Sequence, residues 1–138
     1  MRIKVDNEHC IPKRAHTLDA GADLIAKETI YLTKGIRTLV PTGVHLQIQP
    51  GYVGLLFPRS SLSKLNIIMT NSVGVIDSEY RGEVMASLLY TGPHDGFHLL
   101  AATRIVQLVV LPIALPDFEV VESLEDTARG AGGFGSTG

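Results

Sequence analysis

The chain has 138 residues, 45% hydrophobic and 19% charged, a composition that argues for one globular domain with its own core. Twelve Lys and Arg against fourteen Asp and Glu give a formal net charge of −2, which excludes a general polyanion-coating protein but leaves room for a basic pocket that holds one small anion. Cys10 is the single cysteine, so an intrachain disulfide and a CxxC zinc site are both excluded.

In chain order, the segment from Met1 to Cys10 mixes charged with apolar residues and lacks the apolar stretch of a signal peptide. Thr29–Leu32 and Ile36–Val40 flank Thr33, Lys34 and Gly35, which predicts a hairpin. Between Gly43 and Pro50, Val44, Leu46 and Ile48 alternate with His45, Gln47 and Gln49, the period of a half-buried strand. Tyr52–Phe57, Val84–Tyr90 and Ile105–Leu111 are almost wholly apolar and predict strands buried on both faces, with Phe118–Val121 a weaker strand. Ser61–Ile67 offers one or two helical turns, with Ser60 as a cap. The longest apolar run, Leu108–Leu115, is interrupted by Pro112 and falls short of the roughly twenty residues a membrane span needs. The expectation is an all-β sandwich, jelly roll or barrel with one short helix, soluble and cytoplasmic.

Three segments carry candidate chemistry. Pro58-Arg59-Ser60-Ser61 sits where a buried strand ends and a helix begins, and offers a guanidinium fork and two hydroxyls to an anion. The same residues are compatible with a plain serine cap beside a surface arginine. Asp77 follows two β-branched residues at a predicted strand–turn–strand from Gly74 to Val84. Its carboxylate is either a rigidly held general base toward water or a solvated turn residue. The glycine-rich segment 129–138 matches GxGxxG literally, but no strand precedes it, so a dinucleotide-binding fold is excluded. What remains there is a run of backbone N–H groups with Arg129, Ser136 and Thr137 as phosphate donors and Phe134 as a face for a base, or else a mobile linker end. The five histidines show no paired metal-ligand spacing, and there is no Gly-x-Ser-x-Gly elbow.

Taken together and in order, these segments resemble the five motifs of the homotrimeric dUTP diphosphatases, the dUTPases. Ala20–Leu24 resembles the first, Pro58–Leu62 the second, Gly74–Val84 the third, Arg104–Leu108 the fourth and Arg129–Gly138 the fifth. The resemblance implies a distorted jelly-roll-like β-barrel over residues 1–128 and a C-terminal arm, 129–138, that closes over the active site. It implies a homotrimer with shared sites, acting on dUTP rather than on nucleic acid or membrane. The reaction it implies is hydrolysis of dUTP to dUMP and diphosphate, with Mg²⁺ held mainly by substrate phosphates and waters and no protein metal ligands. By the resemblance, Asp77 activates the water that attacks the α-phosphorus, and Tyr80 packs under the deoxyribose. Val75, Ile76 and Met85, with Asn71 nearby, read uracil in a hairpin. Arg59, Ser60, Ser61 and Gln107 contact phosphates, and Arg129, Phe134, Gly135, Ser136 and Thr137 belong to the closing arm. Ala22, Ser61 and Ala102-Thr103 depart from the residues most common in the family. A dCTP deaminase of the same fold and a non-catalytic trimeric regulatory module are the alternatives; Tyr80-Arg81-Gly82, Asp77 and the arm favour dUTPase.

Overall fold

Two-residue alternation is realised as ten strands in a computed structural model that describes residues 1–71 and 73–132. They are β1 (Arg2–Val5), β2 (Ala22–Ile25), β3 (Ile30–Thr33), β4 (Arg37–Gln47) and β5 (Tyr52–Pro58), then β6 (Ile67–Met69), β7 (Gly74–Ile76), β8 (Glu83–Tyr90), β9 (Gly96–Leu99) and β10 (Arg104–Pro112). The single α-helix among the described residues, α1 (Ser60–Lys64), follows β5. One four-stranded sheet has the order β1-β4-β8-β6 and another β2-β10-β5-β7, with β3 and β9 as a separate ribbon. Neighbouring strands are antiparallel, and the result is the expected all-β, jelly-roll-like architecture. None of the described helices is long and apolar enough to cross a membrane.

The inward residues of both sheets form one core. Val44, Leu46 and Ile48 are buried as the alternation predicts, and they meet Leu56, Ala86, Leu88, Val106 and Leu108. Each leucine so buried stabilises the fold by roughly 1.5–3 kcal/mol. The long apolar strands are not buried on both faces, however. On β5 Tyr52 is 41% exposed, and Leu55 and Phe57 are only partly covered, because the described residues supply one layer against the sheet and leave its other face open.

Three local expectations are corrected. The turn at Thr33–Gly35 exists, with Gly35 at φ +73°, but it joins no hairpin. Strand β3 pairs with β9 and β4 with β8 and β1, so the chain changes partners at the turn. Helix α1 starts at Ser60 with Arg59 as its N-cap and no side-chain capping bond; the Ser63 hydroxyl donates instead to the Ser60 carbonyl at 2.7 Å. Phe118–Val121 is not a strand. No neighbouring strand offers it a ladder, and Phe118 and Val120 are 97% and 98% exposed. Regular structure ends at Pro112 among the described residues.

Two backbone features turn on left-handed residues. In β4 the register against β8 shifts between Pro41 and His45, a bulge with Gly43 at φ +69°. A side chain at Gly43 would run into Cys10 Sγ, and its N–H donates to Glu83 Oε1 at 2.7 Å. Before β10, Ala102 holds φ +64°, a left-handed conformation that glycine adopts without strain. Its N–H donates to the Ala26 carbonyl at 2.8 Å, which keeps the turn closed. Ala102-Thr103 thus sits in a closed left-handed turn.

Candidate active site

The edge strand β7 pairs with β5, whereas β8 belongs to the other sheet. The predicted hairpin from Gly74 to Val84 is therefore a crossing between sheets, and a cavity of about 190 Å³ opens where they part. Asn71, Val75, Ile76, Asp77, Tyr80 and Met85 all line it, with Leu56, Gly74 and Val84 as its floor. Six residues predicted for base, sugar and water chemistry thus meet in one place. Gly74 is needed there: a Cβ would lie 3.1 Å from Leu56 Cβ and 3.2 Å from Asn71 Nδ2, narrowing the cavity.

The crossing is stiffened from within. The Tyr80 N–H donates to the Asp77 carbonyl at 3.1 Å, and its hydroxyl donates to the Glu83 carbonyl at 2.9 Å. The Tyr80 ring lies over Gly82, where any side chain would collide with it. Arg81 Nη1 donates to the Ser78 and Tyr80 carbonyls at 2.6 and 2.9 Å. Asp77 is exposed at the mouth, and with Tyr80 it also borders a wide groove of about 1140 Å³. A carboxylate so placed can accept a proton from a water that enters from the groove side.

A second cavity, of about 300 Å³, gathers Arg59 and Gln107 with Asp19, Gly21 and Asp23. On β2, Ala22 and Leu24 are buried, so Asp23 points away from the core, and the register sets it opposite Gln107 of β10. Asp23 forms ion pairs with Arg59 and, at 3.4 Å, with Arg104. Arg59 Nε is buried with no hydrogen-bond partner among the described residues, so the guanidinium has donor capacity left for an anion. Gly21 makes room for Gln107, since a Cβ would lie 2.7 Å from Gln107 Oε1. Ser60 and Ser61 are exposed on the first turn of α1 beside Arg59 and do not line this cavity.

Arg129 lies in a turn in which its Nε donates to the Gly132 carbonyl at 2.9 Å, and it lines none of these cavities. Phe134, Gly135, Ser136 and Thr137 lie outside the described residues. Sequence reasoning missed Asp23 as an arginine partner, although strand alternation beside buried Ala22 and Leu24 pointed to it. It also missed Asp19, which holds its own loop by accepting the His16 N–H at 2.8 Å.

The model of the dUTPase family matches residues 7–138. The chain belongs to the dUTPase family. The deoxyuridine 5'-triphosphate nucleotidohydrolase of Cutibacterium acnes is 46% identical over 129 residues, 93% of this chain and 85% of that one. A structure of the dUTPase of Staphylococcus bacteriophage 80alpha with dUpNHpp superposes with a TM-score of 0.87 at 28% identity, covering 99% of this chain and 97% of that one. A phage phi11 dUTPase described with a structural Mg(II) ion has a TM-score of 0.82 at 24% identity, covering 91% and 98%. In this dUTPase the cavity at the sheet crossing and the Arg59–Gln107 cavity are separate.

Proposed function

We propose that this dUTPase hydrolyses dUTP to dUMP and diphosphate, with Asp77 as the general base toward the water that attacks the α-phosphorus. The observation that carries the assignment is the cavity at the sheet crossing, which places the Asp77 carboxylate beside Tyr80 and the Asn71, Val75, Ile76 and Met85 wall. Val75 lies on an edge strand, so its free backbone groups are available to the polar edge of a pyrimidine. Tyr80 supplies a flat face for the sugar. Arg59, whose Nε has no partner among the described residues, and Gln107 form the phosphate cavity, and an incoming phosphate competes with Asp23 for the Arg59 fork. Ser60 and Ser61 stand on the helix turn next to it as further donors.

A Mg²⁺ ion is compatible with this donor set. Among the described residues no three His, Cys, Asp or Glu side chains gather to hold a metal; an ion carried on the triphosphate's own oxygens and waters needs no such cluster. Asp19 and Asp23 are the carboxylates that line the phosphate cavity and are placed to accept hydrogen bonds from those waters. When bound, the ion neutralises charge on the phosphates.

The working unit we infer is a homotrimer with shared sites. The base-and-water residues and the phosphate residues line separate cavities of one chain, and the exposed apolar run through Phe118 and Val120 needs a surface that this chain does not provide. The arm at 129–138, with Arg129, Phe134, Gly135, Ser136 and Thr137, closes over a site built by its neighbours. The lone, buried Cys10 and a nucleotide substrate agree with a cytoplasmic setting.

Diphosphate release measured side by side from dUTP, dTTP, dCTP and UTP tests the reaction. Preference for dUTP is expected, and equal rates would overturn the assignment; ammonia from dCTP would point to a deaminase instead. Mixing Asp77→Asn subunits with subunits that lack residues 129–138 tests the assembly: activity returns only if one chain's arm serves another chain's base.

A further inference from the structure

The bulge at Gly43 re-aims the next outward residue of β4, His45, toward the sheet crossing. His45 Nδ1 lies 3.1 Å from the Arg81 carbonyl, inside the Asp77–Gly82 crossing that carries both Asp77 and Tyr80. Its Nε2 lies 3.4 Å from Asp6 Oδ1, and Lys27 Nζ reaches Asp6 Oδ2 at 2.5 Å. Both ring nitrogens thus face acceptors, one a backbone carbonyl and one a carboxylate. Lys4 of β1 and Glu83 of β8 are the strand neighbours of His45, and Glu83 is itself tied to the Gly43 N–H. Arg81 cinches the crossing from inside; the contact from His45 fastens it from outside to a different strand.

We propose that His45 is a positioning residue for the active site, which holds the Arg81 carbonyl and through it fixes Tyr80 and Asp77 over the cavity. The inference rests on the dUTPase reading of that cavity. It does not involve contact of His45 with the nucleotide, since His45 is not among the residues that line the cavity. A crossing released from β4 lets Tyr80 lift from Gly82 and lets Asp77 drift, and small misplacements of reacting groups are costly in rate. The effect therefore falls on kcat and on discrimination at the sugar more than on stability.

The test uses the full chain with His45→Phe, which keeps the bulk and removes the donor, and His45→Gln, which keeps a donor for the carbonyl. Steady-state kcat and KM are measured for dUTP and UTP, and the Tyr80 ring resonances, assigned with Tyr80→Phe, are followed by NMR. His45→Phe is expected to lose about tenfold in kcat for dUTP, the factor of one ordinary hydrogen bond. It should also lower the preference for dUTP over UTP and shift the Tyr80 resonances, and His45→Gln should recover most of each. If His45→Phe lowers only the melting temperature, if Tyr80 resonances stay in place, or if His45→Gln is no better than His45→Phe, the proposal is wrong. A wild-type chain without preference for dUTP overturns the function instead, and the Tyr80 resonances then still decide whether His45 holds the crossing.

Discussion

Ala102 and Gly35 occupy the same left-handed region of backbone space, at φ +64° and φ +73°, one with a methyl group and one without. They make a mirror-image experiment. An alanine in this region is strained by roughly 1–2 kcal/mol relative to glycine. Replacing it with glycine also gives the unfolded chain more freedom, which offsets about 0.4–1 kcal/mol. Ala102 is exposed, so its methyl group contributes little packing, and the bond from its N–H to the Ala26 carbonyl survives in a glycine variant. Ala102→Gly should therefore stabilise the fold by about 0.5–1 kcal/mol. Gly35→Ala should destabilise by a similar amount for conformational reasons alone, because no atom lies within 4 Å of the added Cβ. At about 2–4 °C per kcal/mol for a chain of this length, the two variants should melt on opposite sides of the wild type, a few degrees apart. Urea titration of both, at matched protein concentration, gives the free energies. Ala102→Gly equal to or less stable than the wild type would show that the turn accepts alanine without strain, and the reasoning would fail.

Asp77→Asn should keep the melting temperature, since Asp77 is exposed, while kcat for dUTP falls by about 10²–10⁴; turnover near wild type would remove Asp77 from the mechanism. Gly54→Ala places a Cβ 2.8 Å from Ile48 Cδ1 and 3.3 Å from both Ile76 Cβ and Leu108 Cδ1, an overpacking that should cost about 1–3 kcal/mol by denaturant titration. A change under about 0.5 kcal/mol would mean that β5, β7 and β10 yield more easily than their packing indicates. The hydrogen bond from Lys27 holds the Asp6 carboxyl below its ordinary 3.8, against the opposing effect of burial, and the same bond raises Lys27 above 10.5. A lowered carboxyl adds stability above its unfolded value and loses it as pH falls toward the folded one; a raised lysine does so in reverse, above 10.5. The melting difference between wild type and Asp6→Asn should thus stay constant through neutral pH and close below about pH 3.8. Closure between about pH 5 and 8 would contradict the pairing.

Strand positions were legible because burial imposes a period on the sequence: Val44, Leu46 and Ile48 face the core as their alternation requires. Strand partners were not. The Thr33–Gly35 turn looks like a hairpin locally, yet pairing of β4 is decided by β8, more than forty residues on, through contacts that no short window contains. Phe118–Val121 has strand composition without a ladder partner among the described residues. At the site, the third motif located the cavity residues, since they are contiguous or nearly so. The Arg59–Asp23 ion pair and the contact from His45 to the Arg81 carbonyl span 36 residues each, and only the folded register brings them together.

The crossing from β7 to β8 sets where this chain tolerates changes in length. Ile76 is fixed in one sheet and Glu83 in the other, and the six residues between them must span the gap while they present Asp77 and Tyr80. One inserted residue there would either re-register β8 against β4, turning its inward face outward, or bow the crossing away from the cavity. The Lys34-Gly35 turn likewise joins strands of different sheets, and its N–H groups donate to the Asp95 and Tyr90 carbonyls at 2.8 and 3.0 Å, so the open space around Gly35 does not free its backbone. Loop grafts, affinity tags and circular-permutation joints therefore belong at neither turn, and the 77–82 crossing has to keep its length.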